Sequence, residues 1–401
     1  MADSPPPRRL VAISIAAIDP PRRGNQIRTA NLLAHLGTHW EVESFSMMMQ
    51  RTDLPLPRTL HRVTERWTDH RSRDPLMVAW TSVMARLGYP SVYASELLRI
   101  WPRGAVRRAL ALADVALVSP PYPFKWVRNN APTDLPLVLD VHSIEADMYR
   151  PRSAWWTKVI SREVDREERG AVRDADLSFV TCDADRAKVE AIGARRVAVV
   201  RNGVDVRRFV PRGDAPVDAV RRALGLPTAG TLGVFVGSGH PPNVEAVEQL
   251  ERDADRYRTA GITIVVVGRC GTGRRPVGNV IHAGEVRDVL PYLHAADLAL
   301  CPLRTGSGTS LKTIEYLAAG VPLVTTAFGV RGLDVVPGVE AEVCDLEDIP
   351  ARSGALAADP SRRASLARGA RLAAERFSWQ EIGAEATRAL DEVVARRAPA
   401  R

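Results

Sequence analysis

The sequence predicts an α/β protein made of two Rossmann-like halves, each with a parallel sheet between layers of helices. Its 401 residues exceed the size at which one hydrophobic core keeps growing, so two domains are expected. Short apolar runs alternate with longer amphipathic stretches, which is the pattern of a doubly wound sheet. Residues 202–216 are rich in glycine, proline and charge, and they predict a junction between the halves.

The first half is predicted to contain six strands and an early helix. A loop at 19–25 follows the first strand and leads into the helix at Gln26–Leu36. The strands are expected at the apolar runs Leu10–Ile18, Val42–Met48, Ala113–Ser119, Leu137–Val141, Leu177–Thr181 and Val197–Val200. The chain between consecutive runs is long enough for the crossover connections that parallel strands need.

Residues 55–110 interrupt this alternation and are predicted to form a helical insertion. Apolar side chains recur there at helical spacing and are flanked by arginines. The apolar positions are Leu76, Trp80, Val83, Met84 and Leu87, and the arginines are Arg71, Arg73, Arg86, Arg99 and Arg103. Two interpretations stay open: a helix packed on its own domain, or a basic face that contacts an anionic membrane or an acidic or lipid-linked acceptor.

The second half repeats the alternation. Strands are expected at Leu232–Val236, Ile262–Val267, Val280–Ala283, Leu298–Pro302 and Leu323–Thr326, and closing helices at Ser361–Phe377 and Trp379–Arg396. The predicted domains are therefore 1–205 and 206–378, with 379–401 as a helix that returns to the first domain. Ligands of open α/β sheets bind at the carboxyl ends of the strands, so the strand-to-helix loops are where a site is expected.

Composition restricts the classes of function. Hydrophobic residues make up 45% and charged residues 25% of the chain, as in folded water-soluble proteins. No run approaches the roughly 18 apolar residues that span a bilayer, and residues 1–10 lack the apolar stretch of a signal peptide. A cytoplasmic protein is therefore expected. The four cysteines are scattered without metal-ligand spacing, which predicts free thiols.

The formal net charge of +8 suits phosphorylated ligands or anionic surfaces. The sequence contains no zinc-finger, RNA-binding or basic-zipper pattern, and such patterns are typical of nucleic-acid-binding proteins with a basic charge balance. A nucleic-acid partner is therefore not expected.

Residues 304–326 are the most informative stretch, because they read as a strand end, a glycine-rich loop, a helix and another buried strand. Glycines in the loop let a ligand approach the backbone, since they have no side chain to obstruct it. The helix that follows offers free N–H groups and a positive dipole end, which suit a diphosphate. The residues predicted to hold the diphosphate are Gly306, Ser307, Gly308, Thr309 and Ser310.

Two charged side chains follow in the same helix. Lys312 adds a point charge near the diphosphate, and Glu315 is placed to accept hydrogen bonds from ribose hydroxyls. The spacing excludes a Walker loop, since Ser310 and Leu311 separate the last glycine from the lysine, and a dinucleotide fingerprint, since Leu311 replaces its third glycine. A plain glycine-rich turn stays open as an alternative, but it does not explain why Lys312 and Glu315 follow the loop.

These motifs resemble those of the retaining glycosyltransferases with the GT-B fold, of the family 4-like, group 1 type. The helix that reads Ile-Glu-Tyr-Leu-Ala-Ala-Gly-Val-Pro-Leu-Val at Ile314–Val324 is similar to the family's Leu-Glu-Ala-Met-Ala-Ala-Gly-x-Pro-Val-Val. Further similar segments are Asn202–Asp205, Val236–Gly239 with Pro242–Val244, Val266–Arg269, His282–Val286, Ala296–Asp297 with Cys301–Pro302, and Phe377–Trp379. The resemblance covers nearly the whole chain and implies two Rossmann-like domains whose parallel sheets face a central cleft.

The resemblance also implies roles for single residues. It places Asn202, at the end of the first half, around the donor. In the second half it adds Gly237, Ser238, Arg269 and Val286, together with the glycine-rich loop, Lys312 and Glu315. In the first half, Leu139–Glu145 is similar to the family's Asp-x-His-Asn-x-Glu strand end, which directs His142 into the cleft as a third catalytic residue. Gly24 and Arg28 lie where the family has a glycine loop near the donor phosphate, although an ordinary turn stays open there. Tyr122 lies beyond another strand end and either borders the acceptor or packs within its own domain.

One position departs from the family pattern. The first glutamate of the family's Glu-x7-Glu pair falls eight residues before Glu315, where this chain has Ser307. In the family that acid touches the transferred sugar, so the identity of the sugar is left open. The usual cation pair after the first donor-domain strand is also missing, and Arg269 is the candidate second cation.

The reaction that the resemblance implies is transfer of a sugar from a nucleoside diphosphate to an acceptor hydroxyl, with retention of configuration. The donor base is left open as uridine, guanosine or another base, and the acceptor is a glycan, a lipid-linked compound or a small molecule. Neither a metal nor another cofactor is expected, because Lys312 and a helix N-terminus can stabilise the leaving diphosphate. Two alternatives stay open: a non-hydrolysing sugar-nucleotide epimerase of the same fold, and a non-catalytic nucleotide-sugar-binding protein.

Overall fold

The computed structural model describes residues 7–15, 18–19, 21, 24–46, 61–71, 83, 103–145, 155–306 and 308–396. The chain divides into two compact units. Unit 1 comprises residues 1–201 and 379–401, and unit 2 comprises residues 202–378. The first division falls four residues before the predicted boundary after residue 205, and the second coincides with the predicted start of the closing helix.

Unit 1 is built on an eight-stranded sheet. Its strands are β1 (Arg9–Ser14), β2 (Glu41–Ser46), β3 (His61–Thr64), β4 (Trp67–Arg71), β5 (Val115–Ser119), β6 (Leu137–Val141), β7 (Leu177–Val180) and β8 (Val197–Val199). They lie in the order β3-β4-β2-β1-β5-β6-β7-β8, and every neighbouring pair is parallel except β3 with β4. All six predicted strands form, although β1 ends at Ser14 instead of Ile18.

In the described part of unit 1, five helices connect these strands. They are α1 (Gly24–Leu36), α2 (Arg103–Leu112), α3 (Phe124–Asn130), α4 (Trp155–Asp174) and α5 (Asp183–Ile192). The central strands β5 and β6 are buried along their whole length. Parallel strands that are buried on both sides have continuous apolar sequences, which explains the apolar runs from which β5 and β6 were predicted.

The prediction of a helical insertion is wrong for residues 61–71. These residues form β3 and β4, which extend the sheet beyond β2. Asp69 accepts hydrogen bonds from Ser44 at 2.6 Å and from Arg71 at 2.8 Å, and its residue surface is fully buried. Because buried polar side chains satisfy one another here, the strand lacks the apolar pattern by which a buried strand is recognised.

The rest of the 55–110 segment is described only at Val83, which is exposed, and from 103 onward. The remaining positions of the predicted basic face, among them Leu76, Trp80, Met84 and Leu87, lie outside the described residues. The arginines Arg73, Arg86 and Arg99 also lie outside them. Arg71, in contrast, is buried beside Asp69 and belongs to the sheet.

Unit 2 contains a six-stranded sheet in the order β11-β10-β9-β12-β13-β14, and all its pairs are parallel. The strands are β9 (Thr231–Val236), β10 (Ile262–Val267), β11 (Val280–Gly284), β12 (Leu298–Cys301), β13 (Leu323–Thr325) and β14 (Glu342–Val343). The five predicted strands form, and β14 is additional. This is the strand order of a doubly wound dinucleotide-type fold, so the α/β prediction is confirmed in both units.

The helices of unit 2 are α6 (Val217–Ala223), α7 (Pro241–Arg252), α8 (Ala254–Thr259), α9 (Leu290–Ala295), α10 (Leu311–Ala318), α11 (Ile349–Ala358) and α12 (Pro360–Ala374). The four free cysteines confirm the absence of disulfides, and only Cys344 is not fully buried. Cys270 and Cys301 belong to the apolar core of this unit.

The last helix, α13 (Trp379–Ala395), belongs to unit 1 and packs on α1. A β-carbon on Gly383 would overlap the ring of His35, so a glycine is required where the two helices touch. Ile382, Ala386 and Leu390 form the buried face of α13. Among the helices of the described residues, none combines the length and the apolarity that crossing a bilayer requires.

Candidate functional site

The candidate site of unit 2 lies where the strand order of its sheet reverses. The first strand, β9, is placed between β10 and β12. The loops that follow β9 and β12 therefore start side by side at the carboxyl edge of the sheet and lead to α7 and α10, respectively. Open α/β sheets bind their ligands at such a switch point.

Helix α10 begins at this edge. Ser310 is its N-cap, with extended backbone, and its side chain accepts no capping hydrogen bond from the described part of the helix. Gly308 has a φ of 64°, a conformation that favours glycine and turns the loop into the helix. The first N–H groups of a helix have no partner within it and carry partial positive charge, so this end of α10 can hold an anion.

Asn202 anchors the loop that precedes α10. Its side-chain amide donates hydrogen bonds to the hydroxyl of Thr309 at 2.8 Å and to the carbonyl of Thr309 at 3.3 Å. Both residues are buried. Asn202 therefore lies at the predicted site, and its contact there is with the loop itself.

Lys312 lies in the first turn of α10 and reaches the loop after β9. Its ammonium donates a hydrogen bond to the side-chain oxygen of Asn243 and lies 5.0 Å from the centre of the Phe235 ring. The amide nitrogen of Asn243 in turn donates to the carbonyl and the hydroxyl of Ser238, at 3.2 and 3.0 Å. Desolvation by the surrounding protein lowers the pKa of Lys312, and an anion would compensate that cost.

Glu315 lies one turn further along α10. Desolvation raises the pKa of its carboxyl group to about 7, although Arg208 and Lys312 pull in the opposite direction. Within the described residues, its carboxylate has no hydrogen bond or ion pair with the protein. A partly exposed acid with this environment is suited to accept hydrogen bonds from a ligand, because such bonds favour its charged form.

The backbone at the ends of β9 and β10 is packed too closely for side chains. A β-carbon on Gly268, whose φ is 104°, would overlap the carbonyl oxygen of Gly237. The hydroxyl of Tyr316 accepts a hydrogen bond of 2.7 Å from the backbone N–H of Val236, which ties α10 to the end of β9. The glycines and the tyrosine thus fix the floor on which the site is built.

Two predicted donor contacts follow the neighbouring strands. Arg269 is exposed on the short 3₁₀ helix Arg269–Gly271 after β10, and a β-carbon on Gly239 would lie 3.8 Å from its β-carbon. Val286 follows β11, is partly buried and packs on the core of unit 2.

Two further predicted residues belong to the glycine-rich loop before α10. Gly306 has a φ of 139°, and Ser307 lies outside the described residues.

Arg331, which the sequence interpretation missed, lies against the glycine-rich loop. Its guanidinium donates a hydrogen bond to the carbonyl of Gly308 and stacks on the Phe328 ring, with 3.9 Å between the guanidinium carbon and the ring centre. A β-carbon on Gly306 would lie 3.8 Å from both terminal nitrogens. Its sequence signal was weak, because it is one of many arginines and stands outside the motifs that carry the resemblance.

In unit 1, His142 follows β6 and lies beside Ser119 and Glu145. Its Nδ1 is 3.3 Å from the hydroxyl of Ser119, and its Nε2 is 4.0 Å from a carboxylate oxygen of Glu145. Tyr122 donates a 2.6 Å hydrogen bond to Glu145 and is only 2% exposed. The structure therefore supports packing of Tyr122 within unit 1 over a position beside the acceptor.

Gly24 is the exposed first residue of α1, directly after the loop that follows β1. Arg28, one turn further, is 1% exposed and donates hydrogen bonds to Asp140 at 2.8 to 3.2 Å and to the carbonyl of Arg201 at 2.9 Å. The suggested role of Arg28 near a donor phosphate is wrong, because its guanidinium is enclosed in the interior of unit 1.

Comparison with known proteins connects this geometry to a family. Residues 231–358 match the family model described as "Glycosyl transferases group 1". The chain is 28% identical over 277 residues to glycogen synthase of Mycobacterium tuberculosis, covering 62% of this chain and 61% of that protein. It is 31% identical over 252 residues to D-inositol 3-phosphate glycosyltransferase of Xylanimonas cellulosilytica, covering 56% and 58%. The chain thus spans about three fifths of the length of these relatives.

Solved structures share the fold over nearly the whole chain. Sucrose-phosphate synthase of Thermosynechococcus elongatus matches with a TM-score of 0.75 and 17% identity, covering 97% of this chain and 100% of that chain. Anabaena Alr3699/HepE in complex with UDP-glucose matches with a TM-score of 0.71 and 15% identity, covering 96% and 99%. These similarities confirm the GT-B fold.

Proposed function

We propose that this chain is a retaining glycosyltransferase that uses a nucleoside-diphosphate sugar, and the match of residues 231–358 to the glycosyl transferases group 1 model supports this proposal. One observation carries the proposal. At the switch point of unit 2, the start of α10, Lys312 and Glu315 combine an anion-binding helix end, a desolvated amine and an acid that has no protein partner among the described residues. A nucleoside diphosphate offers the matching groups: two phosphates and two ribose hydroxyls.

The proposed donor contacts divide by chemistry. The N–H groups at the start of α10 and the ammonium of Lys312 bind the diphosphate, and Glu315 accepts hydrogen bonds from the ribose hydroxyls. Val286 and its neighbours after β11 receive the base, and Ser238, Gly237 and Arg269 border the phosphates. Alr3699/HepE, which shares the fold, was solved with UDP-glucose, and this favours a uridine donor as the first candidate to test.

The proposed chemistry is a front-face substitution at the anomeric carbon. The bond from that carbon to the diphosphate oxygen breaks, and a bond to the acceptor oxygen forms on the same face. The acceptor proton passes to the departing phosphate oxygen. Charge that develops on the diphosphate is stabilised by groups already oriented for it, which is the largest effect that most such sites supply.

No divalent metal is part of this proposal, since Lys312 and the helix end supply the positive charge. We expect transfer to proceed unchanged in EDTA, measured as release of UDP from UDP-sugar in the presence of acceptor. Full loss of activity on chelation and its return with added Mg²⁺ or Mn²⁺ would overturn the metal-free step.

The proposed role of His142 is to orient the transferred sugar or the acceptor. Its ring lies between Ser119 and Glu145, and its side chain remains 14% exposed.

The proposed acceptor is a glycan, a lipid-linked compound or a small molecule with a free hydroxyl. For a lipid-linked acceptor we propose peripheral contact with an anionic membrane, and co-sedimentation with anionic liposomes at low salt tests it; no binding would remove that version.

The experiment that tests the function is a thermal-shift and calorimetry panel of UDP, GDP and ADP with their hexose derivatives. Binding at a hundred times Kd stabilises a protein by about 2.7 kcal/mol, which gives a clear rise in melting temperature. We expect one base to give that shift and Glu315→Ala to abolish it. Absence of any shift at millimolar nucleotide would overturn the proposal. Epimerised donor that accumulates without acceptor would favour an epimerase of the same fold instead.

A further inference from the structure

We infer that Arg331 is a positioning residue that aims the backbone N–H groups of the glycine-rich loop at the diphosphate. The inference rests on the proposed function and adds a residue to it that no motif indicates. Arg331 reaches the loop from the turn after β13, through its contact with the carbonyl of Gly308.

The argument begins with the geometry of the peptide bond. In a trans peptide the carbonyl of one residue and the N–H of the next point in opposite directions. Arg331 holds the carbonyl of Gly308, so the N–H of Thr309 points away from Arg331. Asn202 donates to the carbonyl of Thr309, so the N–H of Ser310 points away from Asn202.

Neither of these N–H groups donates a hydrogen bond to an acceptor within the described residues. They directly precede α10, whose first N–H groups also lack partners within the helix. Two side chains thus hold the carbonyl ends of two consecutive peptides and leave the donor ends available. This is the arrangement that a preorganised anion site needs, since the donors then require no reorientation when the ligand binds.

The surroundings of Arg331 keep its guanidinium in place. The planar group lies on the Phe328 ring and within van der Waals distance of the position of a β-carbon on Gly306. A lysine at this position would retain the charge and one donor but could not stack as a plane, so it would hold the Gly308 carbonyl less firmly. The geometry therefore distinguishes Arg331→Lys from Arg331→Met.

The test is isothermal titration of UDP and UMP, with GDP and GMP in parallel, against the full chain and its variants. Only the diphosphate has the second phosphate that the oriented N–H groups are proposed to bind. Removing one fixed donor from an oxyanion site lowers kcat by about a hundredfold or more, and we expect looser orientation of the donors to lower diphosphate affinity by roughly tenfold. For Arg331→Met we expect diphosphate affinity to fall about tenfold, with monophosphate affinity within twofold of the parent, and for Arg331→Lys an intermediate loss.

Arg376→Met is the matched control. Arg376 lies 5.7 Å from the Phe377 ring in the same unit and forms a 2.8 Å ion pair with Glu340, far along the chain from the loop. We expect it to lower the melting temperature and to leave the ratio of diphosphate to monophosphate affinity unchanged.

The outcomes separate the inference from the proposed function. If the parent protein binds UDP or GDP and Arg331→Met keeps the parent's affinity ratio, the positioning role is overturned while the function stands. If Arg331→Met weakens diphosphate and monophosphate equally, Arg331 merely supports the fold and the inference fails. If the parent protein binds no nucleotide, both proposals fall together.

Discussion

The two units differ in how completely their buried charged side chains are paired. In unit 1, Arg28 and Asp140 are each about 1% exposed and satisfy one another through three hydrogen bonds. In unit 2, desolvation lowers the pKa of Lys312 and raises the pKa of Glu315, so it favours the neutral form of each side chain. A buried charge that the protein fully pairs is structural, whereas one that it desolvates without full compensation is a candidate for ligand binding.

The largest effect expected from this comparison is on stability. Asp140→Ala leaves the Arg28 guanidinium buried without its carboxylate, and breaking a buried pair in this way typically costs about 3–5 kcal/mol. Urea denaturation followed by tryptophan fluorescence would measure the loss in unit 1. Nucleotide affinity of the folded fraction should be unchanged, because unit 2 carries the proposed donor contacts. A normal stability would show that the pair is not the structural element that its burial indicates.

The fold and the glycine-rich loop before α10 were predictable from sequence because both depend on local patterns. Apolar runs indicate buried parallel strands such as β6 and β10, and glycines next to a helix start indicate a loop that a ligand could approach. Strand β4 was not predicted, because its buried Asp69 and Arg71 pair with each other and such polar side chains produce no apolar pattern.

Contacts between segments distant in sequence were not predictable in the same way. Asn243 joins the loop after β9 to Lys312, and Arg331 joins the turn after β13 to Gly308. One signal was available, however. The chain has only four lysines, Lys125, Lys158, Lys188 and Lys312, among its 55 basic residues, so a lysine in unit 2 stands out against arginine. A compact ammonium suits the enclosed place beside Asn243 better than a broad guanidinium does.

The second prediction tests the other side of the comparison. Glu315→Ala removes the only proposed acceptor for the ribose hydroxyls, and two hydrogen bonds to a charged group are worth about 3 kcal/mol or more together. We expect nucleotide affinity to fall about a hundredfold or more and transfer to cease, measured by calorimetry and by product formation. Glu347→Ala, at an exposed position of the same unit, is the control. Unchanged affinity in Glu315→Ala would contradict the placement of the ribose.

The third prediction concerns Lys312. Lys312→Ala removes one charge-assisted contact to the diphosphate, worth roughly 1.5–3 kcal/mol, so turnover should fall tenfold or more. Lys312→Arg keeps the charge but changes its shape, and we expect most of the loss to remain because the ammonium lies between Asn243 and Phe235. Steady-state rates at saturating donor would decide; full activity in Lys312→Ala would reject the role in catalysis.

The smallest expected effect comes from titration of Glu315. Its pKa of about 7 in the free protein means that the acid is largely protonated at pH 6 and largely ionised at pH 8. Only the carboxylate accepts hydrogen bonds from both ribose hydroxyls, so binding favours the ionised form and releases a proton below pH 7. Affinity for UDP-glucose, whose phosphates do not titrate in this range, should therefore rise about tenfold from pH 6 to pH 8 and then level off. Glu315→Gln should abolish that rise, and a pH-independent affinity in the parent protein would show that Glu315 titrates elsewhere or does not meet the ligand.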